Sequence, residues 1–419
     1  MFFKKKSDDV TAKDSHIVAL DIGTEFAKAL IAKVDHGKLN VIGVGRAHQD
    51  LGNMYSGAVA DITGVVKNCE IALTQAEEQA GIQARKAVIG IAGEFVKGVT
   101  STIRYKRPQA DRNLDDTEMQ VIIQKVQERA AQRAQKQIAT ETGNPDVEVK
   151  LINSAIVGIH IDGYKVTNPI GFQGRDIVIQ IYTAFAPMVH IGALERVASE
   201  LDLDLLAVAA EPFAVARAVL GDDGNSNFTA ILADIGGGTT DVAVINDGGV
   251  EGTKMFGVAG RSFTSSIERD LDISYEAAER LKINISNPRI KPSVREKLDD
   301  AVDKTLDVWV AGFELALSEF DAIDQLPSRI LMCGGGSSLT KLIDRLSHDD
   351  WYKSLPFTKR PTVHLVKPGD VVGIDDETGD VRDHTFITAL GLLRVGYDTM
   401  IGVTDDDSIK SKIDKTLRI

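Results

Sequence analysis

The chain is short of cysteine, of long apolar runs and of positive charge. Only Cys69 and Cys333 are cysteines among 419 residues. Two thiols cannot build a disulfide framework, and a reducing compartment is the simple reading. No run of about 18 apolar residues occurs, so no sequence segment reads as a membrane-spanning helix. Met1-Phe2-Phe3-Lys4-Lys5-Lys6 lacks an apolar stretch after its charges, which argues against a secretory signal. Lys and Arg number 48 against 61 Asp and Glu, giving a net charge of -13. Such an acidic chain is a poor non-specific binder of nucleic acid, which demands neutralised phosphates, although a local basic patch remains open. What is present is ordinary for a soluble globular protein: 43% hydrophobic and 26% charged residues, over a length that allows two or more cores. The composition predicts a cytoplasmic, multidomain protein.

An internal repeat is visible. The first copy runs Ile17-Val18-Ala19-Leu20-Asp21-Ile22-Gly23-Thr24, then an apolar stretch to Val34, then the turn Asp35-His36-Gly37-Lys38 and a third apolar stretch. The second runs Ile231-Leu232-Ala233-Asp234-Ile235-Gly236-Gly237-Gly238-Thr239-Thr240-Asp241, then Val242 to Ile245, the turn Asn246-Asp247-Gly248-Gly249, and a third stretch. Each copy reads as strand, glycine-rich turn, strand, hairpin, strand. Two copies about 210 residues apart suggest two similar halves facing one another.

The turn carries chemistry. Glycine lets backbone N–H groups approach a phosphate with no Cβ in the way. Threonine hydroxyls add donors. An Asp at the strand end can hold a hydrated magnesium ion, because Mg²⁺ keeps most of its waters. A plain β-turn is the alternative for either copy alone; the matched pair argues against it. Arg329 to Ser338 is a further apolar strand ending in Gly334, Gly335 and Gly336 before a helical pattern. It reads as a seat for a base or its phosphates, or equally as a simple strand-to-helix turn.

Together these pieces resemble the actin/Hsp70/sugar-kinase ATPase superfamily. Asp21 to Thr24 and Asp234 to Asp241 resemble its two phosphate motifs. Glu211 to Ala216 and Thr388 to Leu393 resemble its connecting helices, and Met332 to Ser338 its adenosine motif. Ala278-Glu279-Arg280-Leu281-Lys282 resembles the stretch whose Glu and Lys contact ribose and base. Within the superfamily the sequence is similar to the bacterial cell-division FtsA family. Tyr164 to Arg175, with its Asn168-Pro169-Ile170-Gly171 core, Ala87 to Phe95 and Gly260 to Ile267 carry that likeness. Three departures stand out. Phe26 occupies the place where the family commonly has lysine, with Lys28 on the same strand face. Ser266 replaces an Asp. The stretch after Lys282 lacks the usual glycine and is short before a helix expected near Asp303.

The resemblance implies an α/β, duplicated actin-like ATPase fold with an inserted α+β (SHS2-like) subdomain. Residues 1–86, 189–220 and 385–402 would form the core of the first half, with 87–188 inserted. Residues 228–262 and 328–384 would form the core of the second half, with 263–327 helical above it. Gly221 to Asn227 reads as a linker. Within the insert, a helix is expected from about Asp115, with Met119, Ile122, Ile123, Val126, Ala130 and Ile138 as its apolar stripe, stopped at Gly143-Asn144-Pro145. In the last helical segment, Leu306, Val310, Phe313, Leu317 and Phe320 share helical spacing, as core residues do.

By the same resemblance ATP and Mg²⁺ are the expected ligands. Asp21 and Asp234 would serve the hydrated metal. Gly23, Thr24, Gly236, Gly237, Gly238, Thr239 and Thr240 would surround the phosphates. Glu279 and Lys282 would hold the sugar and base beside Gly334, Gly335 and Gly336, with Gly260 also among the nucleotide-binding residues. Glu211 would orient an attacking water, giving at most slow hydrolysis; the alternative is a solvated residue beside Pro212. Expected partners are the C-terminal tail of an FtsZ-like tubulin homologue, further copies of the chain in filaments, and an anionic membrane on the cytoplasmic face at the division site; nucleic acid is not expected. Residues 403–419 carry Ile409, Ile413 and Leu417 on one helical face among Lys410, Lys412, Lys415 and Arg418. That is a short basic amphipathic pattern suited to a membrane surface, or else a tail docked on its own domain. Two other functions stay open: a PilM-like pilus-assembly adaptor and a small-molecule kinase.

Overall fold

Two β-hairpins with the same turn organise the molecule. In the first, His16–Ile22 runs antiparallel to Phe26–Asp35, with Asp21 opposite Lys28. In the second, Ala230–Ile235 runs antiparallel to Thr240–Asn246, with Asp234 opposite Asp241. Both turns close with the same hydrogen bond. The Gly23 N–H donates to the Phe26 carbonyl at 3.1 Å, and the Gly236 N–H to the Thr239 carbonyl at 2.9 Å. The repeat legible in the sequence is thus a repeat in space. These observations come from a computed structural model that describes residues 15–35, 37–93, 95–220, 228–320 and 323–404. The linker 221–227, the basic start and the expected tail helix from residue 405 onward lie outside the described residues.

Each hairpin seeds a sheet. The first has six strands in the order Asp204–Ala210, Lys86–Ile91, His16–Ile22, Phe26–Asp35, Lys38–His48, Ile374–Asp376. Its inner strands are buried on both faces, which explains their almost unbroken apolar sequence. The helix Ile62–Ala80 covers one face. Asp61 caps its start by accepting from the Thr63 N–H, and Gly81 ends it in the left-handed region at φ 68°. The second sheet has nine strands in the order Thr362–Leu365, Arg329–Cys333, Ala230–Ile235, Thr240–Asn246, Gly249–Phe256, Lys97–Lys106, Asp176–Pro187, Val149–Ile161, Tyr164–Lys165.

Three expected boundaries differ from this arrangement. The strand assigned to the start of the insert, Lys86–Ile91, pairs in parallel with His16–Ile22 and belongs to the first sheet. The crossover through the preceding helix requires this, since a parallel neighbour cannot follow a tight turn. Ile374–Asp376, placed by sequence in the second half, pairs with Lys38–His48 on the edge of the first sheet. The insert is not a detached module. Gly98 and Val99 pair with Thr253 and Gly252, so its sheet continues that of the second half. Its helix Asp116–Thr142 starts at the Asp115 cap and ends at Gly143, and Met119, Ile122, Val126, Ala130 and Ile138 are buried.

The layer over the second sheet holds the helices Gly260–Leu271, Tyr275–Ile283 and Pro292–Ser318. The last begins at Pro292, about three helical turns ahead of the start expected near Asp303. Proline fits a first-turn position because its missing N–H has no helical partner there. Leu306, Val310, Phe313, Leu317 and Phe320 are buried, and Trp309 stacks on Phe313 at 5.1 Å.

Glu211–Leu220 and Ile387–Thr404 are the two helices that lie against one another at the core. They touch backbone to backbone: a Cβ on Gly391 would lie 2.1 Å from the Ala214 carbonyl oxygen. Asp398 accepts from Arg217 at 2.6 Å and from Arg394 at 3.1 Å, clamping the crossing. Among the described residues no helix is long and apolar enough to cross a membrane.

Candidate functional site

Both glycine turns open onto one cleft with a cavity volume of about 290 Å³. Asp21, Gly23 and Thr24 line it from the first hairpin; Asp234, Gly236, Gly237 and Thr239 line it from the second. Glu211, Gly260, Glu279, Lys282, Gly334, Gly335 and Gly336 complete the set of expected residues that reach it. Residues distant in sequence therefore meet because the two hairpins are duplicated and face one another.

Two expected phosphate donors sit elsewhere. Thr240 is fully buried on the opposite face of its strand. Its hydroxyl donates to the Val258 carbonyl at 2.8 Å and accepts from Trp309 Nε1 at 2.9 Å. Strand alternation is the reason: with Thr239 and Asp241 turned to the cleft, Thr240 must point away. Gly238 is wedged against the first turn, where a Cβ would lie 2.7 Å from Thr24 Oγ1. Its role is close approach of the two turns.

The cleft is charged and partly desolvated. Six acids and four bases line it. Lys28 reaches Asp21 at 2.8 Å, and both side chains are buried. Burial pulls the Lys28 pKa down, but the Asp21 carboxylate outweighs this and the net shift is upward. Asp234 accepts from Thr388 Oγ1 at 2.5 Å. Burial, with Asp21 nearby, raises the Asp234 pKa. Glu211 lies well above the usual carboxylate range, first through burial and then through Asp21, Asp241 and Asp234. The Cys333 thiol is pushed up by burial and by Asp234 and Asp241, so it stays protonated and unreactive.

Asp241 is raised to about 8 by burial and by Asp234, against a hydrogen bond from Thr239. Its ordinary value is 3.8. Between these values the folded state holds a proton that the unfolded state has lost. The contribution to stability is therefore largest below about pH 4 and falls as pH rises to about 8. Asp241→Asn removes that slope. Thermal melts of the ligand-free protein should show the variant gaining on the wild type between about pH 5 and pH 8.

Glu279 and Lys282 meet at 2.7 Å one helical turn apart. Thr264 Oγ1 donates to Glu279 at 2.5 Å, and Lys282 Nζ donates to the Gly260 carbonyl at 3.0 Å. Gly334 follows the strand Arg329–Cys333 at φ 78° and leads into a single 3₁₀ turn, Gly335–Ser338. Its N–H donates to the His384 carbonyl at 3.1 Å.

Arg46, Thr388, Arg261 and Glu25 are among the cleft residues not singled out as site residues in the sequence. Arg46 and Thr388 had no local mark, although Thr388 opens the second connecting motif. Arg261 follows Gly260 in a motif noted for other positions. Its side chain crosses the cleft mouth to Glu25 at 2.8 Å and to the Thr24 carbonyl at 2.6 Å. This ion pair ties the start of the helix Gly260–Leu271 to the first phosphate turn.

The acid cluster suits a cation, and the glycine turns leave room for an anion between them. No three His, Cys, Asp or Glu side chains among the described residues converge tightly enough to ligate a metal directly. A hydrated ion held through water and phosphate fits this donor set better than a fully protein-ligated one.

Residues 231–391 match the family described as cell division protein FtsA. The chain is 26% identical over 405 residues to the cell division protein FtsA of Pseudomonas aeruginosa, covering 91% of this chain and 89% of that one. It is likewise 26% identical over 401 residues to that of Neisseria meningitidis, covering 90% and 89%. Among solved structures, the PilM-PilN type IV pilus biogenesis complex superposes with a TM-score of 0.65 at 17% identity, over 91% of this chain and 98% of that one. That likeness establishes a mixed α/β fold of the actin-like type. The sequence likeness is thus to FtsA proteins, over residues 231–391 in the family match and over about 90% of the chain in these two relatives.

Proposed function

We propose that the chain binds ATP with Mg²⁺ between its two halves and acts as an FtsA-type adaptor in cell division. It would polymerise and tether an FtsZ-like tubulin homologue to the inner face of the cytoplasmic membrane. The observation that carries the nucleotide reading is the convergence of both glycine turns on one cleft. In this reading the two turns, around Gly23, Thr24, Gly237 and Thr239, hold the phosphates. Asp21 and Asp234 hold the waters of the metal, which when bound would neutralise phosphate charge. Glu279 and Lys282 hold the sugar and base, which pack beside the Gly334 to Gly336 turn.

Glu211 stands at the head of the first connecting helix with its carboxyl in the cleft. In this reading it positions the attacking water rather than abstracting its proton early. Closure around a nucleotide would change the angle between the sheets through the helix crossing at Ala214 and Gly391, and filament contacts would read that angle. The insert is the SHS2-like element of this reading. The partner-binding surface would lie in the helical layer of residues 263–327, and the membrane contact in residues 405–419.

Incubation with Mg-ATP, anionic liposomes and a peptide of the partner's C-terminal tail tests this. The expected result is ATP-dependent filaments that co-sediment with liposomes, and loss of liposome recruitment when the chain is cut after Thr404. Nucleotide binding without filaments, liposome recruitment or peptide capture would reject the adaptor role.

A further inference from the structure

Four cations line the cleft, and three are already engaged. Lys28 is held by Asp21 at 2.8 Å. Arg261 is held by Glu25 at 2.8 Å. Lys282 is held by Glu279 at 2.7 Å. Arg46 is different: its guanidinium makes no ion pair with any described residue. It rests instead on the face of Phe26, with its central carbon 3.5 Å from the ring centroid. His48 meets the same ring edge-on at 5.1 Å.

The register explains this arrangement. Phe26 and Lys28 are two residues apart on one strand and share a face. His48 and Arg46 lie opposite them on the next strand, Phe26 against His48 and Lys28 against Arg46. Arg46 thus stands beside the Lys28–Asp21 pair, with Phe26 as its platform. An aromatic face orients a guanidinium without neutralising it, because the attraction is to the ring quadrupole. The fork keeps its donors for a ligand. The acids facing Arg46 are Asp383, Asp21 and Glu25, none close enough to pair with it.

We propose that Arg46, propped on Phe26, is a phosphate-binding residue of the cleft that reads the outer end of a polyphosphate. This inference rests on the nucleotide reading of the same cleft and adds a subsite to it. A planar fork suits phosphate oxygens, which it takes two at a time. An unpaired cation contributes more to an anion than one whose carboxylate partner must first be displaced. Its position at the solvent-facing mouth suits the last phosphate rather than the base.

The test measures binding of ATP, ADP, adenosine and inorganic tripolyphosphate to wild type, Arg46→Met, Arg46→Lys and Phe26→Leu by calorimetry. Thermal melts alongside establish that each variant is folded. Arg46→Met is expected to weaken ATP and tripolyphosphate by roughly tenfold or more, the range of a hydrogen-bonded charge contact. Adenosine affinity should be unchanged and ADP less affected than ATP. Arg46→Lys should recover part of the loss. Phe26→Leu should lose severalfold, because the charge remains but its orientation does not. Equal affinity of wild type and Arg46→Met for tripolyphosphate and ATP would overturn the proposal. Arg46-dependent binding of tripolyphosphate without ATP selectivity would sink the nucleotide reading and leave this subsite standing. Wild type binding neither would sink both.

Discussion

Gly391→Leu is expected to destabilise the protein by about 3 kcal/mol or more, the upper part of the range for overpacking a tight core. The two connecting helices cross where a Cβ at this position would lie 2.1 Å from the Ala214 carbonyl oxygen and 3.0 Å from the Val215 nitrogen. Those contacts are backbone, so no rotamer change relieves them. The helices must move apart, and the surrounding core must move with them: Phe213, Leu390, Leu392 and Leu393 pack in the same cluster. The Arg217–Asp398–Arg394 clamp on the same crossing would lengthen. Buried charges separated from their partner add their own desolvation cost. Chemical denaturation and a thermal melt measure the loss. Neutral behaviour would mean that the helices do not cross as closely as described. A control at Gly369, where a Cβ meets nothing within 4 Å, should be nearly silent.

Gly334→Ala is expected to abolish tight nucleotide binding, weakening it by at least about a hundredfold, near 2.8 kcal/mol. Two effects combine. At φ 78° and ψ 158° the backbone occupies a region that is costly for any residue with a Cβ, on the order of 1–3 kcal/mol. The Cβ would also lie 2.1 Å from Asp234 Oδ1 and 2.5 Å from the Ile235 carbonyl oxygen. Relief requires the adenosine-side turn to retreat from the second phosphate turn, or Asp234 to leave its hydrogen bond with Thr388. Either movement distorts the cleft walls that this account assigns to the base and the metal.

The duplicated hairpins were readable because they use local rules: apolar strands, glycine turns and a matching order of residues. So were the long insert helix, with its Asp115 cap and Gly143 stop, and the apolar stripe from Leu306 to Phe320. What was not readable depended on pairing between distant strands. Nothing local in Lys86–Ile91 reveals that it joins the first sheet, and nothing in Gly98 reveals its pairing with Thr253. Thr240 was misplaced because a run of Thr239-Thr240-Asp241 offers three polar side chains, while alternation sends only the outer two to the cleft. Phe26 looked like a lost phosphate contact in the sequence. Its partner Arg46 lies 20 residues away on a neighbouring strand, and only the register brings them together. Arg261 and Glu25 were invisible for the same reason, lying on opposite sides of the cleft.

The central claim is that one cleft, built by two facing glycine turns, holds a nucleotide. Calorimetric titration of Mg-ATP into the wild-type protein and into Gly334→Ala tests it most directly. The account predicts saturable binding at one site per chain in the wild type and at least about a hundredfold weaker binding in a variant that remains folded. Absence of binding to the wild type up to millimolar ATP, or equal binding by a folded Gly334→Ala, would contradict it.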